Sequence, residues 1–240
     1  MLKKVLIEAA DWIYPRCCPV CNRILKNKND WVCPECRGFI KPIHSPYCLK
    51  CGKPVEEPNA VCTDCERHRA HYDRGRGMFV YDDRWKESIL LYKNSGRREY
   101  GDFYAFLLAK CAKAELEKWR PDCIVPVPLS KKKKRKRGFN QAEYLAEKLS
   151  ERTGIPVDAS CIRKRRETLQ QKALNRGQRM KNLKNAFEVL HDVRGRRILL
   201  LDDVYTTGST MDTLAEELKR NGAEKVWFLT VCIGGKSAFH

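Results

Sequence analysis

Two patterns in this 240-residue chain are equipped for chemistry, and the more specific is LLLDDVYTTGST at residues 199–210. Its unbroken apolar run predicts a strand covered on both faces. The strand delivers Asp202 and Asp203 to its carboxyl end, where open α/β sheets hold their ligands. Thr206, Thr207, Gly208, Ser209 and Thr210 follow, with a helix predicted from Ser209. Free amides at a helix start, hydroxyl donors and a glycine that admits close backbone approach suit a phosphate dianion. The carboxylates repel phosphate but accept hydrogen bonds from vicinal hydroxyls, so one loop offers donors for a phosphate and acceptors for a ribose. The plain alternative is an acidic strand end followed by a capped helix with no ligand. An NTPase reading needs a G-x-x-x-x-G-K-[ST] loop; the near match at Gly234, Gly235, Lys236 and Ser237 lacks the first glycine and a following helix.

The second pattern is a set of thiols. Eight of thirteen cysteines form four C-x-x-C pairs: Cys18/Cys21, Cys33/Cys36, Cys48/Cys51 and Cys62/Cys65. Each pair puts two thiolates on one tight turn, and two turns complete a tetrahedral Cys₄ zinc site. Eleven residues separate the first two pairs and ten the last two. This spacing predicts two sequential ribbons with one structural Zn²⁺ each, an interleaved cross-brace being the alternative. Four cysteines leave the metal no open position, and no βαβ context suggests thioredoxin chemistry. His44, His68 and His71 lie near enough in sequence to substitute as ligands, whereas Cys17 reads as a bystander.

A third stretch concerns charge. With 48 basic and 30 acidic side chains the formal net charge is +18, which favours a polyanionic partner. Lys131, Lys132, Lys133, Lys134, Arg135, Lys136 and Arg137 are consecutive, and Arg163, Lys164, Arg165 and Arg166 form a second cluster, with Arg176, Arg179, Lys181 and Lys184 beyond. Seven adjacent cations repel one another, so the first run is expected to be exposed and mobile until an anion binds. Few aromatics interleave it, and no base-stacking platform is evident.

The elements that must position these groups alternate. Residues 78–81 form a short apolar run, 85–92 and 103–119 have helical spacing, and 122–128 read as a strand entering a proline-shaped loop. Residues 139–153 form an amphipathic helix, 196–204 the apolar strand, 209–221 a helix stopped by Gly222, and 225–233 a last strand. The expected fold is α/β, a parallel sheet flanked by helices and preceded by a small metal-held domain. The expected boundaries are 1–66 for the zinc-binding double ribbon, 67–77 for a linker and 78–240 for the α/β domain. Glu8 and Asp11 interrupt the N-terminal apolar stretch, and no run approaches the ~20 apolar residues that span a bilayer. A cytoplasmic placing follows, where thiols stay reduced.

Asp202, Asp203, Thr206, Thr207, Gly208 and Thr210 match a known fingerprint, and the α/β part resembles the type I phosphoribosyltransferases. The resemblance implies that the acids contact the ribose of phosphoribosyl pyrophosphate (PRPP) and the Thr/Gly turn its 5′-phosphate. Val127, Pro128 and Leu129 would form the pyrophosphate loop, with Mg²⁺ accompanying the pyrophosphate. V-P-V-P-L-S from Val125, R-G-F-N-Q from Arg137, T-L-Q-Q from Thr168 and the cysteine pairs together look like the ComF family of competence proteins. That resemblance implies DNA uptake in natural transformation, in the cytoplasm or at the inner membrane face. It also implies contacts to single-stranded DNA and to a helicase-like ATPase. The competing reading is an active Mg²⁺-dependent phosphoribosyltransferase of nucleotide or amine metabolism, for which the cysteine domain and the large positive charge are unnecessary. A weaker third is a PRPP-responsive regulator.

Overall fold

The computed structural model describes residues 15–27, 29–165 and 186–234. Arg166, the Thr168 to Gln171 motif, Arg176, Arg179, Lys181, Lys184, Gly235 to Ser237 and most of the 1–15 stretch lie outside the described residues.

Four strands form one parallel sheet: β1 (Arg74–Val80), β2 (Cys123–Pro126), β5 (Arg197–Tyr205) and β6 (Lys225–Ile233), in the order β1-β6-β5-β2. A separate antiparallel pair joins β3 (Ile162–Lys164) to β4 (Phe187–Val189). Ile198 to Leu201 of β5 are fully buried, as a strand covered on both faces requires. One face packs under α3 (Asp83–Asn94), α4 (Tyr100–Cys111), α5 (Lys113–Trp119) and α7 (Gln141–Thr153). The other packs under α8 (Ser209–Arg220) and the β3–β4 pair.

Three sequence expectations are corrected. β1 begins inside the stretch expected to be a linker. Glycine is a poor strand former, but a Cβ on Gly75 would overlap the ring of Phe228 on β6, so the glycine is what lets the strands pair closely. The helix expected over 103–119 is two helices. Ala112, at φ −101° and ψ 15°, leaves helical geometry between α4 and α5, and Trp119 stacks on Trp227 with ring centroids 5.7 Å apart. The run of seven cations, for which no element is expected, is a helix, α6 (Lys131–Arg137). Ser130 caps it by accepting from the Lys133 amide, and Gly138 ends it in the left-handed region. Lysine and arginine are good helix formers, and a helix distributes their charges around its circumference. The expected exposure is found: none of the seven is buried.

The cysteine ribbons are built alike. In each, a tight turn carries the first pair, and a short helix, α1 (Pro34–Arg37) or α2 (Thr63–Arg67), carries the second. The turns close through Asn22 N to Cys18 O at 2.8 Å and Gly52 N to Cys48 O at 2.9 Å. The first ribbon packs into the α3–α5 side of the core and the second into the α8 side. The second ribbon and the segment leading into it clasp edge strand β1. The Gly75 amide donates to Lys50 O at 2.8 Å and the Ile43 amide to Met78 O at 2.7 Å. Arg76, buried on β1, meets Glu115 Oε1 at 3.0 Å, donates to Ile43 O at 2.5 Å and lies 3.7 Å from the Tyr47 ring centroid. The first ribbon is held by Tyr100 Oη to Asn22 Oδ1 at 2.6 Å and by a Trp31–Phe106 stack at 5.4 Å.

Candidate functional site

β5 and β2 are neighbours, with Pro126 beside Leu201, so the loop Val127, Pro128, Leu129 and the acid pair leave the sheet at the same carboxyl edge. The Val127 amide still donates to Leu201 O at 2.9 Å, and Asn140 Nδ2 donates to Val127 O at 3.2 Å, which ties the loop to the start of α7. α6 begins immediately after this loop. The structure therefore brings the acid pair, the loop 127–129 and the polycationic helix to one edge.

The two acids part company there. Successive strand residues point to opposite faces, so Asp203 shares the face of Leu199 and Leu201 and turns towards α3. Its Oδ2 lies 2.7 Å from Lys93 Nζ, with side chains 3% and 20% exposed respectively. Burial disfavours the Lys93 ammonium, yet Asp203 and Asp202 hold its pKa above the ordinary lysine range. Asp202 remains partly open and accepts from the Asp203 amide at 2.9 Å. Its recessed position, with the Asp203 charge adjacent, pushes its carboxyl well above the usual range.

After Tyr205 the chain turns at Thr206 to Gly208 into α8. Gly208 has φ +78°, and a Cβ there would overlap the Tyr205 hydroxyl. That hydroxyl is anchored 2.8 Å from the Tyr72 hydroxyl. Thr207 Oγ1 and Ser209 Oγ lie 3.0 Å apart, and the N-cap of α8 is Gly208, which has no side chain to cap it. In the first turn Asp212 accepts from the His71 amide at 2.6 Å and faces its ring nitrogen Nδ1 at 3.0 Å. His71 therefore serves α8 and is absent from the cysteine clusters.

Sequence reasoning misses Lys93, although a signal for it exists. Trp85, Ile89 and Tyr92 are buried on α3, and position 93 continues that inward face one turn beyond Ile89. A lysine in inward phase needs an acid from another element. In the second basic cluster, Arg163 and Arg165 both pair with Glu188, at 2.6 and 3.0 Å. Part of that charge is thus neutralised within the ribbon that carries it, and Lys164 lies 5.7 Å from the Phe187 ring centroid.

The thiols gather as two sets, Cys18, Cys21, Cys33 and Cys36, and Cys48, Cys51, Cys62 and Cys65, each with all sulfurs within 4.8 Å of one another. The pairing is sequential. Sulfur contacts of 3.6 Å, Cys21–Cys33 and Cys51–Cys62, are far too long for a disulfide. They match the edge of a sulfur tetrahedron around zinc, about 3.8 Å for Zn–S bonds of about 2.3 Å. Both sets therefore fit a structural Zn²⁺.

Such a sheet edge on a domain packed against paired Cys₄ ribbons defines a phosphoribosyltransferase-type domain bearing a double zinc ribbon. The double zinc ribbon domain family matches residues 9–66 and the phosphoribosyl transferase domain family residues 107–240. The chain belongs to the ComF family. It is 31% identical over 221 residues to the DNA utilization protein YhgH of Salmonella typhimurium, covering 91% of this chain and 97% of that protein. It is 28% identical to competence protein F of Haemophilus influenzae, covering 87% and 93%, and 29% identical to competence protein ComFC of Bacillus subtilis, covering 90% and 93%. Among the described residues no helix is long and apolar enough to cross a membrane.

Proposed function

We propose that this chain is a ComF-type DNA-handling protein that holds PRPP or a related nucleotide at the β5 edge and single-stranded DNA along α6. Asp202 and Asp203 would accept from the ribose hydroxyls, Thr206 to Thr210 would donate to the 5′-phosphate, and Val127 to Leu129 would border the pyrophosphate. Mg²⁺ would come with the pyrophosphate and neutralise part of its charge. The observation that carries the reading is the convergence of the acid pair, the turn into α8 and the start of α6 at one sheet edge. The names of the relatives, DNA utilization and competence, support the DNA side. A competence helicase-like ATPase as partner, and a placing in the cytoplasm or at the inner membrane face, belong to the same proposal.

Asp202→Asn is expected to weaken PRPP binding at least tenfold in titration calorimetry, because an amide offers one acceptor where the carboxylate offers two oxygens. Unchanged affinity would remove the ribose assignment. Pyrophosphate released above background in the same samples, on adding candidate acceptors, would favour the transferase reading over pure binding.

Single-stranded DNA affinity is expected to fall linearly with log salt, with a slope near 0.7 per phosphate neutralised. Replacing the cations of α6 with glutamine should flatten that slope by several units. A slope indifferent to this change would place the DNA elsewhere or nowhere.

A further inference from the structure

Besides the two thiol sets, the described residues bring one further group of metal donors together. Asp158, Cys161 and His191 have their ligand atoms within 4.8 Å of one another. The group lies at the amino-terminal edge of the sheet, at the opposite end from the acid pair: the Asp158 amide donates to Ile124 O of β2 at 2.9 Å, and Arg196 directly precedes β5. Asp158 and Cys161 flank one tight turn ahead of β3, in a D-x-x-C spacing that mirrors the C-x-x-C turns of the ribbons. His191 arrives from beyond β4, 33 positions after Asp158. The Leu190 amide donates to Cys161 O at 2.9 Å and fixes the two segments side by side.

His191 Nε2 stands 3.2 Å from Asp158 Oδ1. That separation suits a hydrogen bond, and it also suits the N···O edge of a tetrahedron around zinc, about 3.3 Å for bonds of about 2.0 Å. Two observations favour the metal. A pairing of His191 with Asp158 needs no thiol, yet the sulfur of the fully buried Cys161 lies within the same small circle. The other carboxylate oxygen, Oδ2, accepts from Arg196 Nη1 at 3.2 Å, the kind of outer bond that holds a ligating carboxylate in place. Ser160 Oγ adds a bond to Oδ1, also at 3.2 Å. One thiolate, one imidazole and one carboxylate suit Zn²⁺; Mg²⁺ and Ca²⁺ take oxygen ligands. The His191 side chain is 39% exposed, which gives an ion a way in and leaves room for water as a fourth ligand.

We infer that Asp158, Cys161 and His191 form a third zinc site, separate from the ribbons, that pins the β3–β4 pair to the amino-terminal edge of the sheet. On binding, the Cys161 thiol gives its proton to solvent, and the contact between His191 and Asp158 is replaced by two bonds to the metal. With three protein ligands, and the Arg196 charge beside them, the site holds zinc less tightly than a Cys₄ ribbon. A desalted chain therefore keeps its two ribbon ions, and the third enters with added metal.

The probe is Co²⁺, added to the full chain with both ribbons already holding zinc, which Co²⁺ displaces poorly. A thiolate-to-cobalt charge-transfer band should grow and saturate at one equivalent. Its intensity should be about a quarter of that of a ribbon reloaded with cobalt, one thiolate against four. Zn²⁺ should bleach the band at lower concentrations than those at which Co²⁺ raised it. Added Zn²⁺ should also raise the unfolding temperature, because it binds the folded chain. Cys161→Ser should abolish the band. His191→Ala, at an exposed position, should weaken cobalt binding at least tenfold and remove the thermal shift. Cys111→Ser, which removes a half-buried thiol on α4, should change neither.

If Cys161→Ser does not fold, His191→Ala decides by itself. No band in the wild type, a band that survives Cys161→Ser, or cobalt binding by His191→Ala at wild-type strength would overturn the inference. So would a band of four-thiolate strength accompanied by released zinc, the mark of metal exchange within a ribbon.

Discussion

Cys51→Ser is expected to lower the zinc content from two ions per chain to one and to destabilise the parallel sheet together with the ribbon. Cys51 is fully buried, and its ribbon is held by a metal rather than by an apolar core of its own. Structural zinc contributes about 10–16 kcal/mol to small zinc domains, so losing a ligand is among the few single changes that exceed about 4 kcal/mol. The effect should spread because this ribbon and the segment leading into it are bonded to β1 through Lys50 and Ile43. It also packs against Tyr72, whose hydroxyl reaches Tyr205 beneath the Thr-Thr-Gly turn. Metal analysis with thermal unfolding followed in the near-ultraviolet, where the sheet's aromatics report, checks this. A sheet that melts at the wild-type temperature while zinc falls by half would show that ribbon and sheet are independent.

Gly208→Ala is expected to abolish measurable binding of a ribose phosphate. Two costs add at this position. A non-glycine residue at φ +78° costs about 1–2 kcal/mol, and the new methyl must displace the Tyr205 hydroxyl from its partner Tyr72. The turn can relieve the overlap only by moving, and it carries the predicted phosphate donors. Gly138 supplies a control, because it has the same φ of +78° and a methyl there would meet nothing within 4 Å. Gly138→Ala should therefore cost stability alone and leave ribose 5-phosphate affinity unchanged. Tyr205→Phe in the Gly208→Ala background should recover part of the binding by removing the colliding oxygen. Equal effects at the two glycines would reduce the Gly208 loss to backbone strain.

Much of this is legible in the sequence, for identifiable reasons. The C-x-x-C spacing speaks for metal regardless of fold, and the apolar run of β5 with its acids is specified within one short segment. Features that depend on another element are harder to read. Gly75 reads as a strand breaker until Phe228 is known to lie against it. The seven cations read as a repelling run, and the helix depends on the cap signals at Ser130 and Gly138 flanking them. Lys93 shows no role in the sequence because its partner lies more than a hundred residues away on β5. Sequential and cross-braced zinc pairing are both compatible with ten- and eleven-residue spacers, and only the packed ribbons decide between them.

The clasp on β1 has a consequence for assembly. A sheet with a bare edge invites another strand, from a partner or from a second copy of the chain. Here one boundary strand spends backbone groups on the second ribbon and the segment leading into it, Gly75 N on Lys50 and Met78 O on Ile43. The other, β2, has four residues, ends in a proline and is shadowed by the segment around Val157, which bridges Ile124. Strand addition is thus obstructed on both sides of this sheet, which leaves side chains as its means of recognising a partner, those of the cationic helix α6 being exposed beside its carboxyl edge.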